Sequence, residues 1–311
     1  MIRKDKKRIH ILGFISGLLI LIVIVSTLFD NDENVYDAAA VKSKTEEIRK
    51  EADNSIEVLF LGDSLCYSSF YPAYLWEEQG YTSYVCGTSA QRICDTYLIL
   101  KNAFKTQSPK LVVLETNCIY RKLDNDKNGD GVMNWLIKEI PVFKNHSLWK
   151  KFTMNIGNKY SKKKEGEQKG FKLRRSVIPY TGGEYMCETD DCKKIPELSD
   201  EYLKKIADLC RENNTELILV STLSPKNWNY EKHNGVEQWA ADNGISYLDM
   251  NVEDCIKIDW NCDTKDGGDH LNLEGAKKVT SYIGNYLKEK YHLTDYREES
   301  NYVSVWGYYN K

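Results

Sequence analysis

A three-layer α/β/α sandwich around a mostly parallel, flavodoxin-like sheet is the fold class this sequence predicts. Three observations predict it. Short apolar, β-rich runs recur at 56–61, 83–86, 111–114, 216–220 and 245–249. Longer stretches with helical periodicity lie between most of them, and Gly or Pro marks the junctions. Strands that alternate with helices pair in parallel, and both faces of such a sheet are then covered.

The chain begins with a basic tip, MIRKDKKR, followed by an almost wholly apolar run from Ile9 to Phe29. About 20 apolar residues are enough to cross a bilayer as a helix. Positive charge on the N-terminal side predicts that end in the cytoplasm. The expectation is a cytoplasmic tip and single-pass anchor over 1–29, with membrane contact through 9–29 and everything after Asp30 extracytoplasmic. A cleaved signal peptide is the alternative. Against it, the apolar run is longer than a usual signal core, and the nearest run of small residues, Ala38-Ala39-Ala40, is well downstream. Residues 30–54 are polar, and Lys/Glu-rich from Lys42 to Ala52. They read as a linker or a short solvated helix.

The domain proper is read over 55–311. Ile56–Leu61 is a strand. Tyr71–Gln79 is a helix, with Pro72 near its start and Gly80 at its end. Ser83–Cys86 is a strand closed by Gly87, and Ala90–Lys105 is an amphipathic helix. Leu111–Leu114 is a strand that ends in Glu115-Thr116-Asn117. Asp200–Asn213 (helix), Glu216–Val220 (strand), Val236–Asn243 (helix), Ile245–Asp249 (strand) and Leu273–Lys290 (helix) complete the pattern. Between about 120 and 198 the alternation lapses, which reads as an insertion forming a cap or a polymer-facing surface. It holds Asp124 to Asp130, which resembles the start of a calcium loop but has Trp135 where the bidentate Glu belongs. It also holds a Lys/Arg cluster from Lys138 to Arg175, either a solvated loop or an attractor for anionic headgroups or polymer. The Tyr-rich tail from Tyr291 to Lys311 is expected to pack back over the fold.

A net charge of −3 gives no nucleic-acid signal. The nine Cys are an odd number, which argues against a complete disulfide framework. Cys66, Cys86, Cys94 and Cys118 fall on or beside core elements and act there as small hydrophobes. Cys187/Cys192 and Cys255/Cys262 are close pairs, open to disulfide formation outside the cytoplasm. The pattern of a zinc site is missing, and no cofactor is implied.

The chemistry gathers at two places. In Val58-Leu59-Phe60-Leu61-Gly62-Asp63-Ser64-Leu65 an apolar strand stops at Gly, Asp and Ser. Ser64 stands where a helix would start, with backbone N–H groups aimed at negative charge. A serine nucleophile needs a base, a group to orient the base, and oxyanion donors. Of the five His, His270 stands apart. It lies in Asp266-Gly267-Gly268-Asp269-His270-Leu271-Asn272, directly before the last helix.

These two blocks resemble the first and last signature blocks of the SGNH/GDSL hydrolases. The resemblance covers 56–118 and 216–291 and leaves the insertion unmatched. It implies Ser64 as nucleophile and His270 as general base. It also implies an oxyanion hole from the backbone N–H groups of Ser64 and Gly87 and the side-chain amide of Asn117. The family normally has its Asp three residues before the His, where this chain has Gly267. Asp266 is then the preferred orienting carboxylate and Asp269 the alternative. Glu115 and Cys118 also depart from the third block, which usually has Gly and Asp there. The implied activity is acyl transfer to water or to a sugar hydroxyl, on an acylated carbohydrate or envelope polymer. For a transferase the implied partner is a membrane-bound acyl donor. The alternative is a non-catalytic envelope binding or assembly protein on the same fold.

Overall fold

Five parallel strands form the sheet, in the spatial order β2-β1-β3-β6-β7: β1 (Val58–Gly62), β2 (Ser83–Gly87), β3 (Leu111–Glu115), β6 (Glu216–Ser221) and β7 (Ser246–Asp249). Without the short hairpin β4 (Glu167–Gln168) and β5 (Phe171–Lys172), this is the flavodoxin-like order. The computed structural model describes residues 13–14, 16–18, 20–21, 38–123, 167–252 and 256–306. Contacts divide the chain into Met1–Ala38 with Asp124–Ser161, and Ala39–Leu123 with Lys162–Lys311. The elements that follow belong to the second unit, save the first residue of the first helix.

β1, β2 and β3 are buried along their whole length, as strands covered on both faces must be. Side chains alternate between the two faces. Val58, Phe60, Val113, Ile218, Val220 and Leu248 share one core cluster with residues of α2 (Ser64–Ser69), α3 (Pro72–Gln79) and α7 (Leu273–Lys290). Phe60 stacks on Phe70 with ring centroids 4.4 Å apart, worth about 0.5–1.5 kcal/mol beyond the area buried. Leu59, Leu61, Val112, Leu114 and Leu219 face the other way. On that side α4 (Ile93–Ala103) packs against α5 (Glu197–Glu212). The buried stripe of α5, Tyr202, Leu203, Ile206, Ala207 and Cys210, has the helical spacing that makes one apolar face. α6 (Tyr230–Asn243) lies against β7. It begins six residues before the expected Val236, because Asn229 caps it by accepting from Lys232 N, and it ends at the left-handed Gly244.

Of the stretch read as a linker or a short solvated helix, Ala38–Ile48 is the helix α1, and it is not wholly solvated: Val41, Lys44 and Ile48 are buried. Cys187, Cys192 and Cys262 are free and exposed, so the Cys187–Cys192 disulfide is not formed. Cys255 lies outside the described residues, as do the acidic run at 124–130 and most of the basic cluster. From the insertion, the β4–β5 hairpin covers the edge of the sheet: Lys169 O accepts from Val85 N at 2.9 Å. That satisfies part of the open edge of β2. The tail packs back as expected. Thr294 N donates to Glu57, Arg297 to the carbonyls of Glu77 and Glu78, and α8 (Ser300–Trp306) ends with Trp306 buried and stacked on Trp76.

Most of the apolar run at 9–29 lies outside the described residues. Among the described residues no helix is long and apolar enough to cross a membrane.

Candidate active site

All five strands point the same way, so their C-terminal ends share one edge, where open α/β sheets place ligands. β1 and β2 are in register with Gly62 opposite Gly87. Both glycines are forced by the crossing. Gly62 has φ of +151°, and a Cβ there would lie 2.7 Å from Glu115 Cβ. A Cβ on Gly87 would lie 2.9 Å from Asp63 O. Asp63 caps α2 by accepting from Leu65 N at 2.9 Å, so the chain turns abruptly and leaves Ser64 at the helix start. Asn117 sits in the 3₁₀ turn Thr116–Tyr120 that follows β3. Ser64, Gly87 and Asn117 therefore lie at the ends of three adjacent strands.

His270 reaches the same edge on a loop. Ser224, just past β6, donates to Asp269 O at 2.8 Å and Lys226 N donates to Gly268 O, which fixes that loop over the end of β6. Gly267 and Gly268 have φ of +72° and +87°, and this left-handed pair folds Asp266 back onto the histidine. Asp266 accepts from His270 N at 2.7 Å and meets Nδ1 at 2.8 Å. Burial raises the Asp266 pKa, but these two hydrogen bonds and the imidazole's charge more than offset it and hold the carboxyl below its usual range. Asp269 lies 3.4 Å from the ring and is engaged by Asn227 Nδ2 at 2.7 Å. With Nδ1 held by a carboxylate, the proton resides there and Nε2 is left as the acceptor. Nε2 is buried and has no hydrogen-bond partner. Ser64 Oγ is thus not hydrogen-bonded to His270 in this structure. In unliganded sites such contacts are often long and tighten only around substrate.

Around Asn117 the structure adds groups that sequence reading missed. Asp63 is fully buried. Its Oδ2 accepts from Asn117 Nδ2 at 2.8 Å and from Arg121 Nη2 at 2.6 Å. Arg121 thereby pins the carboxylate that orients the Asn117 amide. Glu115 is also fully buried; Oε1 accepts from Asn117 N, while Oε2 has no partner. Burial first, and then the adjacent Asp63, push its pKa well up. Lys232 is pushed down to about 8, by burial first and then by Lys193. Arg121 follows Asn117 by four residues and carries no sequence signal of its own, because only the 3₁₀ turn brings it back to Asp63.

His233 stands on α6 and meets Asp249 at 2.9 Å, a carboxylate that also accepts from Trp228 and Tyr247. This buried network ties β7 to α6. Asp266, Asp269 and His270 are the one group among the described residues whose ligand atoms could jointly reach a metal ion, all within 4.8 Å. Those atoms are already engaged with one another and with Asn227.

No family model matches the chain, and no curated protein matches its sequence. Among solved structures it is similar to a GDSL-like lipase from Bacteroides thetaiotaomicron, with 14% identity and a TM-score of 0.43 over 81% of this chain and 98% of that one. It is also similar to a putative acylhydrolase from Bacteroides fragilis, with 12% identity and a TM-score of 0.41 over 81% and 98%. A third is a putative lipolytic protein of the G-D-S-L family from Desulfitobacterium hafniense, with 15% identity and a TM-score of 0.40 over 75% and 99%. The chain resembles the SGNH/GDSL hydrolases. At such identities and scores the likeness transfers no residue roles, and the site stands on the geometry of its own residues.

Proposed function

We propose a serine-dependent acyl-ester hydrolase or O-acyltransferase that works through a Ser64 acyl-enzyme on a cell-surface carbohydrate or polymer. The observation that carries it is the Asp266–His270 pair, with a buried, unpartnered Nε2, on the sheet edge that presents Ser64, Gly87 and Asn117. In the first step Ser64 Oγ attacks the ester carbonyl and its proton passes to His270 Nε2. Asp266 steadies the imidazolium through Nδ1–H. The N–H groups of Ser64 and Gly87 and the amide of Asn117 receive the oxyanion, each worth about 3–4 kcal/mol of transition-state stabilisation. The alcohol leaves with the proton from Nε2. Water or a sugar hydroxyl then attacks the acyl-enzyme, losing its proton to Nε2, and the acyl–Oγ bond breaks as Nε2 returns that proton to Ser64 Oγ. A transferase would draw its acyl group from a membrane-bound donor. Anchorage through 9–29, with the domain extracytoplasmic, belongs to the same proposal and rests on the apolar run and its basic flank.

A fluorophosphonate probe tests the nucleophile. Labelling of wild type and not of Ser64→Ala is expected. Absence of labelling on folded protein favours the second reading, a non-catalytic binding or assembly protein. The specific observation in favour of that reading is the altered third block, where the buried Glu115 and Cys118 flank Asn117. Turnover of a simple acetyl ester separates the hydrolase from a strict transferase, which would label but not turn over.

A further inference from the structure

Asp63 divides its two oxygens between two tasks. Oδ1 accepts from Leu65 N at 2.9 Å and caps the helix that Ser64 begins. Oδ2 accepts from Asn117 Nδ2 at 2.8 Å, Arg121 Nε at 2.8 Å and Arg121 Nη2 at 2.6 Å. Among the described residues Arg121 is the one cation paired with this fully buried carboxylate. A carboxylate paired with a guanidinium only accepts hydrogen bonds. It therefore selects the NH2 end of the Asn117 amide and excludes the flipped rotamer, in which two oxygens would face each other. Glu115 Oε1 holds the backbone N–H of the same residue at 3.2 Å. Among the described residues Asn117 Nδ2 donates to Asp63 alone, so its second N–H is available to an oxyanion.

A buried carboxylate without its cation is driven to seek water or a proton, and a turned or protonated carboxyl no longer selects one end of an amide. We propose that Arg121 is a positioning residue for the oxyanion hole, acting through Asp63 on the Asn117 amide. The role rests on Ser64 as nucleophile. Its effect falls on the transition state, where negative charge develops on the carbonyl oxygen, and not on the binding of substrate. Lysine at this position would supply the charge but not the pair of N–H groups that Nε and Nη2 place on Oδ2.

The rate of fluorophosphonate labelling of the full chain reads this step for hydrolase and transferase alike, because phosphonylation of Ser64 also places an oxygen in the oxyanion hole. Arg121→Ala should lower the maximal labelling rate at least about tenfold and leave the half-saturating probe concentration within about twofold. In an Asn117→Ala background the same substitution should have no further effect, because the amide through which Arg121 acts is gone. Millimolar guanidinium chloride should restore Arg121→Ala where potassium chloride does not, since 33% of the native side chain is open to solvent. Arg121→Lys should show a smaller loss that also vanishes without Asn117, and it carries the comparison if Arg121→Ala does not fold. Equal losses with and without Asn117, or a loss confined to the half-saturating concentration, would overturn the proposal and leave the Ser64 reading intact. No labelling of folded wild type would refute the Ser64 reading and the role of Arg121 with it.

Discussion

Asp266 and Asp269 differ in what they can do for His270, although both are acidic neighbours in sequence. Asp266 holds Nδ1 and the backbone N–H together; Asp269 spends its carboxylate on Asn227. Asp266→Asn should therefore lower kcat by about a hundredfold or more, because an amide can fix the wrong imidazole tautomer. Asp269→Asn should stay within a few-fold of wild type, and ester turnover compares the two. Glu115 makes a second prediction. Its folded pKa lies above its ordinary value, so the native state binds more protons than the unfolded chain between the two. Its contribution to stability is thus greatest at low pH and declines as pH rises above about 4.5, towards the folded pKa. Glu115→Gln, an uncharged isostere, should be more stable than wild type at pH 7, with the difference shrinking toward pH 4 in urea melts.

At the scale of elements, the sheet order explains why the insertion is not merely an appendage. β2 is an edge strand, and the β4–β5 hairpin caps it through Lys169 and Gly170. A Cβ on Gly170 would fall 1.9 Å from Val85 O, at a φ of +86°. Gly170→Ala should lift the hairpin from the edge, and faster amide exchange at Val85 is the expected readout. The loop before α7 is positioned in a comparable way. The segment at 174–180 runs beside it, with Leu273 N donating to Arg174 O, Ile178 N to Thr264 O, and Gly267 N to Ile178 O. The C-terminal limb of the insertion thus supports the histidine.

For the whole molecule, the decisive question is the compartment. The basic tip and the apolar run at 9–29 predict a reporter fused after Lys311 to lie outside the cytoplasm. A cytoplasmic reporter would refute the anchored topology and, with it, an envelope polymer as substrate. The C-terminal tail argues for placing any such fusion beyond the last helix. Trp306 is buried on Trp76, and Thr294 N reaches Glu57 just ahead of β1, so trimming the tail would disturb the domain itself.

The strands, their helices and the parallel sheet were legible in the sequence because burial on both faces writes continuous apolar runs, and glycines mark where those runs must stop. Ser64 was legible at such a stop, whereas Gly87 and Asn117 followed from the resemblance of their strand ends to the SGNH/GDSL blocks. His270 was found as the histidine beside a helix start. The sequence left open which aspartate serves it, and the structure resolves this through two left-handed glycines whose dihedrals no spacing rule can supply. Arg121 beside Asp63 and the raised pKa of Glu115 became visible only in the folded molecule. Both depend on which charges are buried together, and burial is a property of contacts between residues far apart in the chain, such as Asp63 with Arg121.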